Sequence, residues 1–274
     1  MKTLFEILPT DANTTNNTLI LEVGDSLVSG IIKQNDPSTV IAFAIYQLEH
    51  SDTKQISGAV QQLLEEKAIF KLPLKNVKVI SAFHQSVLVP FSLSEKNHFS
   101  AIVDMIHGDL SSTPEVHSDL INEDGVYNVY KMPDSLSEML KVKFPDYQLN
   151  HLYTSLLKFI PREEDKMHLI FYPGKVIVFI VKGGKSQLIN TFDYQAPEDV
   201  SYLLLNLCKH FNLNDIPVEI NGLIEEDSSL FKEIFKYFSV VNFTNLPEKC
   251  TFPNEINNFP SHYFSHQFAM NLCE

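Results

Sequence analysis

Two stretches of the chain show the same order of apolar patterns. In the first, apolar runs of strand length occupy residues 18–24, 27–33 and 39–47, with turn-forming residues between them. The first turn contains Gly24, which we expect to adopt the positive φ that tight hairpin turns require. Ile56, Val60 and Leu63 then fall at helical spacing on one face, and another strand follows at 77–83.

The remainder of the first stretch is less regular. Residues 86–90 and 126–131 are predicted strands, and residues 109–124 show no periodicity and are predicted to form a surface loop. Three further amphipathic stretches predict helices at 94–107, 135–143 and 150–159. Pro161 and the charged residues after it indicate a boundary, so we expect two halves, 1–160 and 161–274.

The second stretch repeats the opening of the first. Apolar runs at 168–172, 176–182 and 186–192 are separated by turns at Pro173-Gly174 and Gly183-Gly184. Pro197 suits the first position of a helix, and the helix is expected to end near Lys209 and His210. A strand at 216–221 precedes one more amphipathic helix, whose apolar stripe comprises Leu230, Phe231, Ile234, Phe235 and Phe238.

Three antiparallel strands, a crossover helix, a parallel strand and another helix make up a ribonuclease H-like unit, and two such units in tandem form the actin-like ATPase fold. Three segments carry a resemblance to the bacterial family DUF3822, a family of unknown function: DYQAPEDVSYLLL at 193–205, VEINGLIEEDSSL at 218–230, and the tail at 261–274. The resemblance implies an α/β protein with a degenerate actin-like fold and an internal duplication. It implies no substrate.

Charge and cysteine content narrow the possible partners and locations. The formal net charge of −13 disfavours nucleic acid, whose binding depends on basic side chains. Three cysteines without a CxxC pair indicate neither a disulfide framework nor a thiolate zinc site, and Cys208 is expected to be a buried, inert thiol. The first residues lack the apolar core of a signal peptide, and no apolar run is long enough to span a membrane, so we expect a cytoplasmic protein.

Candidate nucleotide-binding residues lie in the two opening hairpins and in one later loop. Actin-like ATPases place an Asp-x-Gly hairpin in each half, because glycine lets backbone N–H groups approach phosphates and the acid organises magnesium. Glu22, Gly24 and Ser26 keep traces of that pattern, whereas the hairpin at Gly174 has no acid and a proline that removes a donor. Gly222 lies where such folds contact adenosine, between a strand and a helix.

The other polar constellations favour structural roles. His262 and His266 are spaced as in HExxH zinc sites, but Tyr263 stands where the general base would be, so we expect an aromatic tail packed on the body. No catalytic residue and no metal ligand set is predicted. The motifs GxSxG, GxxxxGK[ST] and GxGxxG do not occur.

Three functions are compatible with this pattern. The first is a non-catalytic protein of actin-like fold with a protein-interaction or scaffold role, using no cofactor and binding a protein partner or a second copy. The alternative is a nucleotide-binding or weakly hydrolysing ATPase that uses ATP with magnesium. A ribonuclease H-like nuclease would need converging acids, for which Glu22, Asp25 and Asp193 are the starting points; the net charge argues against it.

Overall fold

The computed structural model describes residues 1–9, 16–34, 39–49, 53–93, 98–108, 115–248 and 251–270. The chain divides into two compact units, Met1–Ser155 with Cys250–Glu255, and Leu156–Lys249 with Ile256–Glu274. The division falls inside a helix that precedes Pro161. The borders 1–160 and 161–274 stay a prediction, as do the turn at 35–38 and the helix start at 94–97, which lie outside the described residues.

The first unit is built on a six-stranded sheet. Its strands and helices, in chain order, are β1 (Lys2–Ile7), β2 (Asn17–Val23), β3 (Leu27–Gln34), β4 (Thr39–Gln47), α1 (Thr53–Glu66), β5 (Asn76–Ser81), β6 (Ser86–Pro90), α2 (Phe99–His107), β7 (Glu115–Ile121), β8 (Val126–Met132), α3 (Asp134–Lys143), β9 (Gln148–His151) and the start of α4 (Leu152–Phe159). The order across the sheet is β1-β4-β3-β2-β5-β9. β2, β3 and β4 are antiparallel, and β5 and β9 are parallel to β2.

The second unit repeats this arrangement in a five-stranded sheet. Its elements after α4 are β10 (Lys166–Tyr172), β11 (Lys175–Lys182), β12 (Lys185–Asp193), α5 (Pro197–Phe211), β13 (Val218–Gly222), α6 (Ser229–Phe235), β14 (Val241–Phe243) and α7 (Ser265–Met270). The order β12-β11-β10-β13-β14 reproduces β4-β3-β2-β5-β9 strand for strand. The same strands are antiparallel and the same are parallel, which confirms two tandem ribonuclease H-like units.

Each unit buries its own core between sheet and helices. In the first unit the predicted stripe of α1 is buried, with Ile56, Val60 and Leu63 packed against the sheet. In the second unit Val200 and Leu204 of α5 and Ile234 of α6 pack on β10, β11 and β13. The helical and strand periodicities therefore located both cores correctly.

The residues between β5 and α3 form a feature without counterpart in the second unit. β6, β8 and β7 make a three-stranded antiparallel sheet, on which α2 packs through Phe99 and Val103. The prediction of a loop over 109–124 was wrong where β7 runs, from Glu115 to Ile121; residues 109–114 lie outside the described part. β7 shows no strand signal because polarity and burial do not alternate together along it: Asp119 is buried, whereas Leu120 is exposed.

A buried polar network joins this small sheet to the start of α4. The carboxylate of Asp119 accepts hydrogen bonds from the His151 backbone N–H and the Thr154 hydroxyl, both at 2.7 Å, and from Tyr130 Oη at 3.2 Å. Asn128 donates to the same Thr154 hydroxyl at 3.0 Å. Burial raises the pKa of Asp119. The network satisfies backbone groups where β9 turns into α4, a boundary that the predicted helix at 150–159 missed by including the end of β9.

Candidate functional site

The carboxyl ends of β10 and β13 form the position at which open α/β sheets bind ligands. These neighbouring strands are parallel, with Phe171 paired to Gly222. Gly222 has φ +84, and the Leu223 N–H donates to Phe171 O at 2.8 Å. A Cβ at residue 222 would lie 2.2 Å from Phe171 O. Glycine is therefore required here by the strand packing itself, whatever else it contacts.

Replacing Gly222 by alanine is expected to destabilise the second unit by at least about 3 kcal/mol, because a left-handed conformation is combined with a clash against backbone. Gly183→Ala is the matched control: Gly183 also has positive φ, at +59, but no atom lies within 4 Å of a built Cβ. It should lose only about 1–2 kcal/mol. Equal losses in urea unfolding would show that the close approach is relieved by a backbone shift.

Gly174 lies next to this position, in the β10–β11 hairpin. Tyr172 and Lys175 are the paired residues that flank the predicted turn, and Gly174 has φ +71, which glycine adopts without steric cost. Its carbonyl accepts a hydrogen bond from the Tyr194 N–H at 3.0 Å. The structure thus brings Gly174 and Gly222 together at one end of the sheet.

The same end of the sheet is covered by the tail, which we define as residues 259–270. Ser265 Oγ donates to Asn221 Oδ1 and lies 2.5 Å from the Thr244 hydroxyl. His262 Nε2 donates to the Ile224 carbonyl at 2.8 Å. Every residue of the tail from His262 to Met270 is buried. The tail therefore hydrogen-bonds side chains at the ends of β13 and β14 and the backbone of the loop after β13.

His266 of the tail contacts Tyr172, which flanks the β10–β11 hairpin. Its Nε2 lies 3.1 Å from Tyr172 Oη, while its Nδ1 is buried and has no hydrogen-bond partner among the described residues. Burial lowers the pKa of His266 to about 3, so the ring is neutral at pH 7. The expectation that the aromatic tail packs on the body is confirmed, with Phe264 and Phe268 fully buried.

An aromatic row leads from the tail to the protein surface. His262 stacks on Phe243 with ring centroids 4.0 Å apart, Phe243 stacks on Phe231 at 5.1 Å, and Phe231 stacks on Phe235 at 5.9 Å. Phe235 is 57% exposed. The row links β14, which the sequence pattern did not reveal, to α6.

The corresponding strand ends of the first unit hold the other three predicted residues. Glu22 is buried, and its carboxylate accepts a hydrogen bond from Ser29 Oγ at 3.0 Å. Gly24 follows β2, and the Ser26 carbonyl accepts from the Leu48 N–H at 2.9 Å. The structure thus gathers Glu22, Gly24 and Ser26 at one hairpin, and the hydrogen bond from Ser29 to Glu22 is internal to that hairpin.

The expectation of a positive φ at Gly24 was wrong. Gly24 is not among the residues with positive φ. A side chain at this position would instead lie 3.2 Å from the Ala82 carbonyl oxygen, at the end of β5. The glycine therefore allows β2 and β5 to approach closely. No residue from Gly24 to Leu27 has positive φ, and the Gly24 N–H donates to Leu27 O at 3.0 Å.

A second polar cluster lines a cavity of about 250 Å³ at the opposite end of the second sheet. Lys166 Nζ lies 3.1 Å and His168 Nδ1 3.5 Å from the Glu219 carboxylate. The His168 hydrogen bond is the main cause that lowers the pKa of Glu219 to about 2. Glu219 is thus ionised and internally neutralised at pH 7, as in a structural ion-pair network.

Cys208 and the possible metal ligands show no arrangement for catalysis or metal binding in the described part of the chain. Cys208 is half-buried, and burial raises the pKa of its thiol, which reduces its reactivity. Within the described ranges, no group of three or more His, Cys, Asp and Glu side chains is arranged to hold a metal ion. No helix in the described part of the chain is long and apolar enough to cross a membrane.

The sequence pattern missed the polar contacts of the tail, which Ser265 makes with Asn221 and Thr244. Asn221 ends a predicted strand and Thr244 follows the short β14, so neither differs from an ordinary loop residue in sequence. The one available signal was the density of aromatic and histidine residues in the tail, which indicated packing but not its target.

The family described as "Protein of unknown function (DUF3822)" matches residues 9–241. The chain belongs to the DUF3822 family. No curated protein matches the sequence of this family member. A solved structure similar to it is a Bacteroides thetaiotaomicron protein with actin-like ATPase fold and unknown function, at 16% identity and a TM-score of 0.80, over 97% of this chain and 100% of the other.

Two further structures resemble this DUF3822 member over nearly its whole length. One is PilM in the PilM–PilN type IV pilus biogenesis complex, at 12% identity and a TM-score of 0.59, covering 93% of this chain and 96% of that one. The other is the ethanolamine utilization protein EutJ from Carboxydothermus hydrogenoformans, at 9% identity and a TM-score of 0.54, covering 97% and 93%. At these identities the likeness establishes the actin-like ATPase fold.

Proposed function

We propose that this DUF3822 protein is a non-catalytic member of the actin-like fold that acts by binding protein, either a partner or a second copy of itself. The observation that carries the proposal is the tail. It occupies the carboxyl ends of β10 and β13 and engages Asn221, Thr244 and Tyr172 with its own polar side chains. A ligand at this position would have to displace buried aromatic rings as well as these hydrogen bonds.

The chemistry of the two hairpins supports the same proposal. The hairpin at Gly174 carries no carboxylate for magnesium, and its proline lacks the N–H that a phosphate would use. In the other hairpin the Glu22 carboxylate is buried and already accepts a hydrogen bond from Ser29. The acid is thus absent from the second hairpin and buried and engaged in the first, which disfavours the binding of magnesium and phosphate at both.

Exposed apolar side chains on the second unit favour a protein-binding role. On α5, α6 and the residues after α6, several large apolar side chains are more than a third exposed: Tyr202, Leu205, Phe235, Tyr237 and Val240. Exposed aromatic groups are enriched in protein interfaces. PilM, a structural neighbour, is part of a complex with another protein, which supports the same class of role.

Millimolar Mg-ATP is expected to leave the thermal unfolding midpoint unchanged, and no phosphate release is expected. A nucleotide at a hundred times its dissociation constant would add about 2.7 kcal/mol of stability and raise the midpoint by at least a few degrees. The measurement is a thermal melt with Mg-ATP, with Mg²⁺ alone and with ATP plus a chelator. A magnesium-dependent rise that disappears in Glu22→Gln would replace the proposal with the nucleotide-binding alternative.

Affinity capture tests directly whether the protein binds another protein. The wild-type protein and a Tyr202→Ser/Phe235→Ser variant are used as baits in the native cell, because both side chains are largely exposed and their replacement should leave the fold intact. Specific recovery of one protein by the wild type, or of the untagged chain itself, supports the proposal. Recovery of nothing by either bait, combined with a nucleotide effect, contradicts it.

A further inference from the structure

The small three-stranded sheet of the first unit ends at β7. The strand order is β6-β8-β7, so among the strands that the structure describes β7 pairs with β8 alone. The pairing runs from Glu115 to Ile121 without any register shift, so β7 is a regular strand over its whole length. A regular strand at the edge of a sheet is a template for another strand.

The backbone hydrogen bonds of β8 show which of its residues face each neighbouring strand. The Lys131 N–H donates to Gln85 O at 3.0 Å. At the other end of the strand, the Phe91 N–H donates to Gly125 O at 3.0 Å. Odd-numbered residues of β8 therefore direct their backbone groups toward β6, and even-numbered residues direct theirs toward β7.

The same alternation identifies the backbone groups of β7 that point out of the sheet. Odd-numbered residues of β7 pair with even-numbered residues of β8, as Asp119 does with Asn128. The N–H and C=O groups of Val116, Ser118 and Leu120 consequently point away from β8. Among the residues that the structure describes, these groups have no hydrogen-bond partner.

The side chains of these three residues lie on the face of the small sheet that α2 covers. Val116 packs at the margin of the apolar cluster that contains Phe99 of α2. Side chains alternate between faces along a regular strand, so Ser118 and Leu120 share this face. Ser118 is exposed, and Leu120 is 45% exposed. The apolar surface of this face therefore extends to the edge of the sheet.

The sequence of β7 is complementary to itself in the antiparallel direction. A two-fold axis through Ser118, the central residue, would pair the strand with a second copy over its full length. It would place Val116 of each copy opposite Leu120 of the other and cover the exposed leucine. On the opposite face it would place His117 opposite Asp119, a pair without like charges. The outward backbone groups of Ser118 would form a hydrogen-bonded self-pair.

Other two-fold registers of β7 are less favourable. An axis through His117 would place Glu115 opposite Asp119, and an axis through Asp119 would place two aspartates opposite each other. Like charges at opposite positions destabilise a strand pair. Axes closer to either end of β7 would pair fewer residues. The register about Ser118 is therefore the one that pairs the whole strand and brings no like charges together.

We infer that two copies of this chain associate by antiparallel pairing of their β7 strands about Ser118, which joins the two three-stranded sheets into one. The inference rests on the proposed protein-binding function and names the partner as a second copy. The interface consists of one strand from each copy, and the formal net charge of −13 opposes association. The dimer is therefore expected to be weak and concentration-dependent.

The test is sedimentation equilibrium of the full chain from about 5 to 500 µM, a range that brackets a weak dimer. The wild type should form a dimer. Ser118→Asp and Ser118→Lys each place like charges opposite each other on the axis and should weaken dimerisation about fivefold. An equimolar mixture of the two variants restores opposite charges across the axis, and it should dimerise at least as well as the wild type.

Ser239 is the matched control, because it is an exposed serine next to Val240, in the apolar surface of the second unit. Ser239→Asp and Ser239→Lys should leave dimerisation unchanged, both alone and mixed. If these variants change association and those at Ser118 do not, the copies meet through the second unit and the inference is overturned.

Amide hydrogen exchange gives a second readout at the strand itself. The amides of Ser118 and Leu120 should be poorly protected at low concentration and become protected as the dimer forms, while the Asp119 amide, which faces β8, should not change. A chain that stays monomeric over the whole range, or a dimer unaffected by Ser118→Asp, overturns the inference. Either result leaves the nucleotide test of the proposed function intact, so the two failures are distinguishable.

Discussion

Deletion of residues 259–274 is expected to prevent stable folding of the second unit and to cause aggregation. The deletion removes the buried side chains of Phe264, Phe268 and Met270 and uncovers the apolar groups beneath them. It also leaves Asn221 and Tyr172 without the hydrogen bonds that Ser265 and His266 provide. The measurement is size-exclusion chromatography with light scattering, followed by thermal unfolding. A monodisperse protein with an unchanged midpoint would show that the tail is dispensable.

Point substitutions test whether the buried side chains of the tail stabilise the protein, without removing the tail. Phe268 is fully buried, so Phe268→Ala should lower the free energy of unfolding by about 3–5 kcal/mol. Phe259, the first residue of the tail, is 38% exposed and serves as the control. Phe259→Ala should have a much smaller effect. If both substitutions have equal and small effects, the tail does not pack in solution as it does in the structure.

Acidification from pH 7.5 to pH 5 is expected to reduce stability strongly in both units. Burial lowers the pKa of His151 to about 4 and that of His266 to about 3, below the unfolded value of 6.5. The stabilisation from each neutral ring is complete above pH 6.5 and is lost as pH falls toward the folded pKa. At pH 5 the contribution of each histidine to the free energy of unfolding should be smaller by about 2 kcal/mol, since one pKa unit corresponds to about 1.4 kcal/mol.

Other groups shape this pH dependence. Burial also lowers the pKa values of His107, His117 and His262, which act in the same direction. Asp119 acts oppositely: its raised pKa means that its contribution is present at low pH and is lost as pH rises. Glu219, whose pKa is about 2, loses its contribution only below the unfolded value near 4.5. The histidines therefore dominate between pH 6.5 and pH 5.

Urea unfolding at pH 7.5, 6 and 5 measures this effect, with the slope against pH as the readout. His151→Gln and His266→Gln should each flatten the slope for their own unit, whatever their effect at pH 7.5. The same substitution at the exposed His210 serves as the control. Equal free energies of unfolding at pH 7.5 and pH 5 in the wild type would contradict the prediction.

The edge strands β1 and β14, the position that the tail covers and the polar contacts of the tail escaped sequence-based prediction for a common reason. β1 and the three-residue β14 are edge strands whose pairing partners are distant in sequence, so local periodicity carries little information about them. The direct contact between Ser265 and Asn221 spans 44 residues. Glu22 is buried and accepts a hydrogen bond from Ser29, and this burial too is a property of the tertiary structure. A motif in the sequence can therefore propose Glu22 as a nucleotide contact, but it cannot show whether the carboxylate is buried in the folded protein.

The sequence by itself determined the duplicated α/β architecture of this DUF3822 protein. Hairpins with glycine turns, such as the one at Gly183-Gly184, and the helices that begin near Thr53 and at Pro197 are specified by local conformational preference and by the period of apolar residues. Only the tertiary structure decided what lies at the strand ends. There the tail, whose aromatic residues must be buried somewhere, covers β10 and β13, because burial of apolar surface is non-directional and its target is set by the shape of the folded unit.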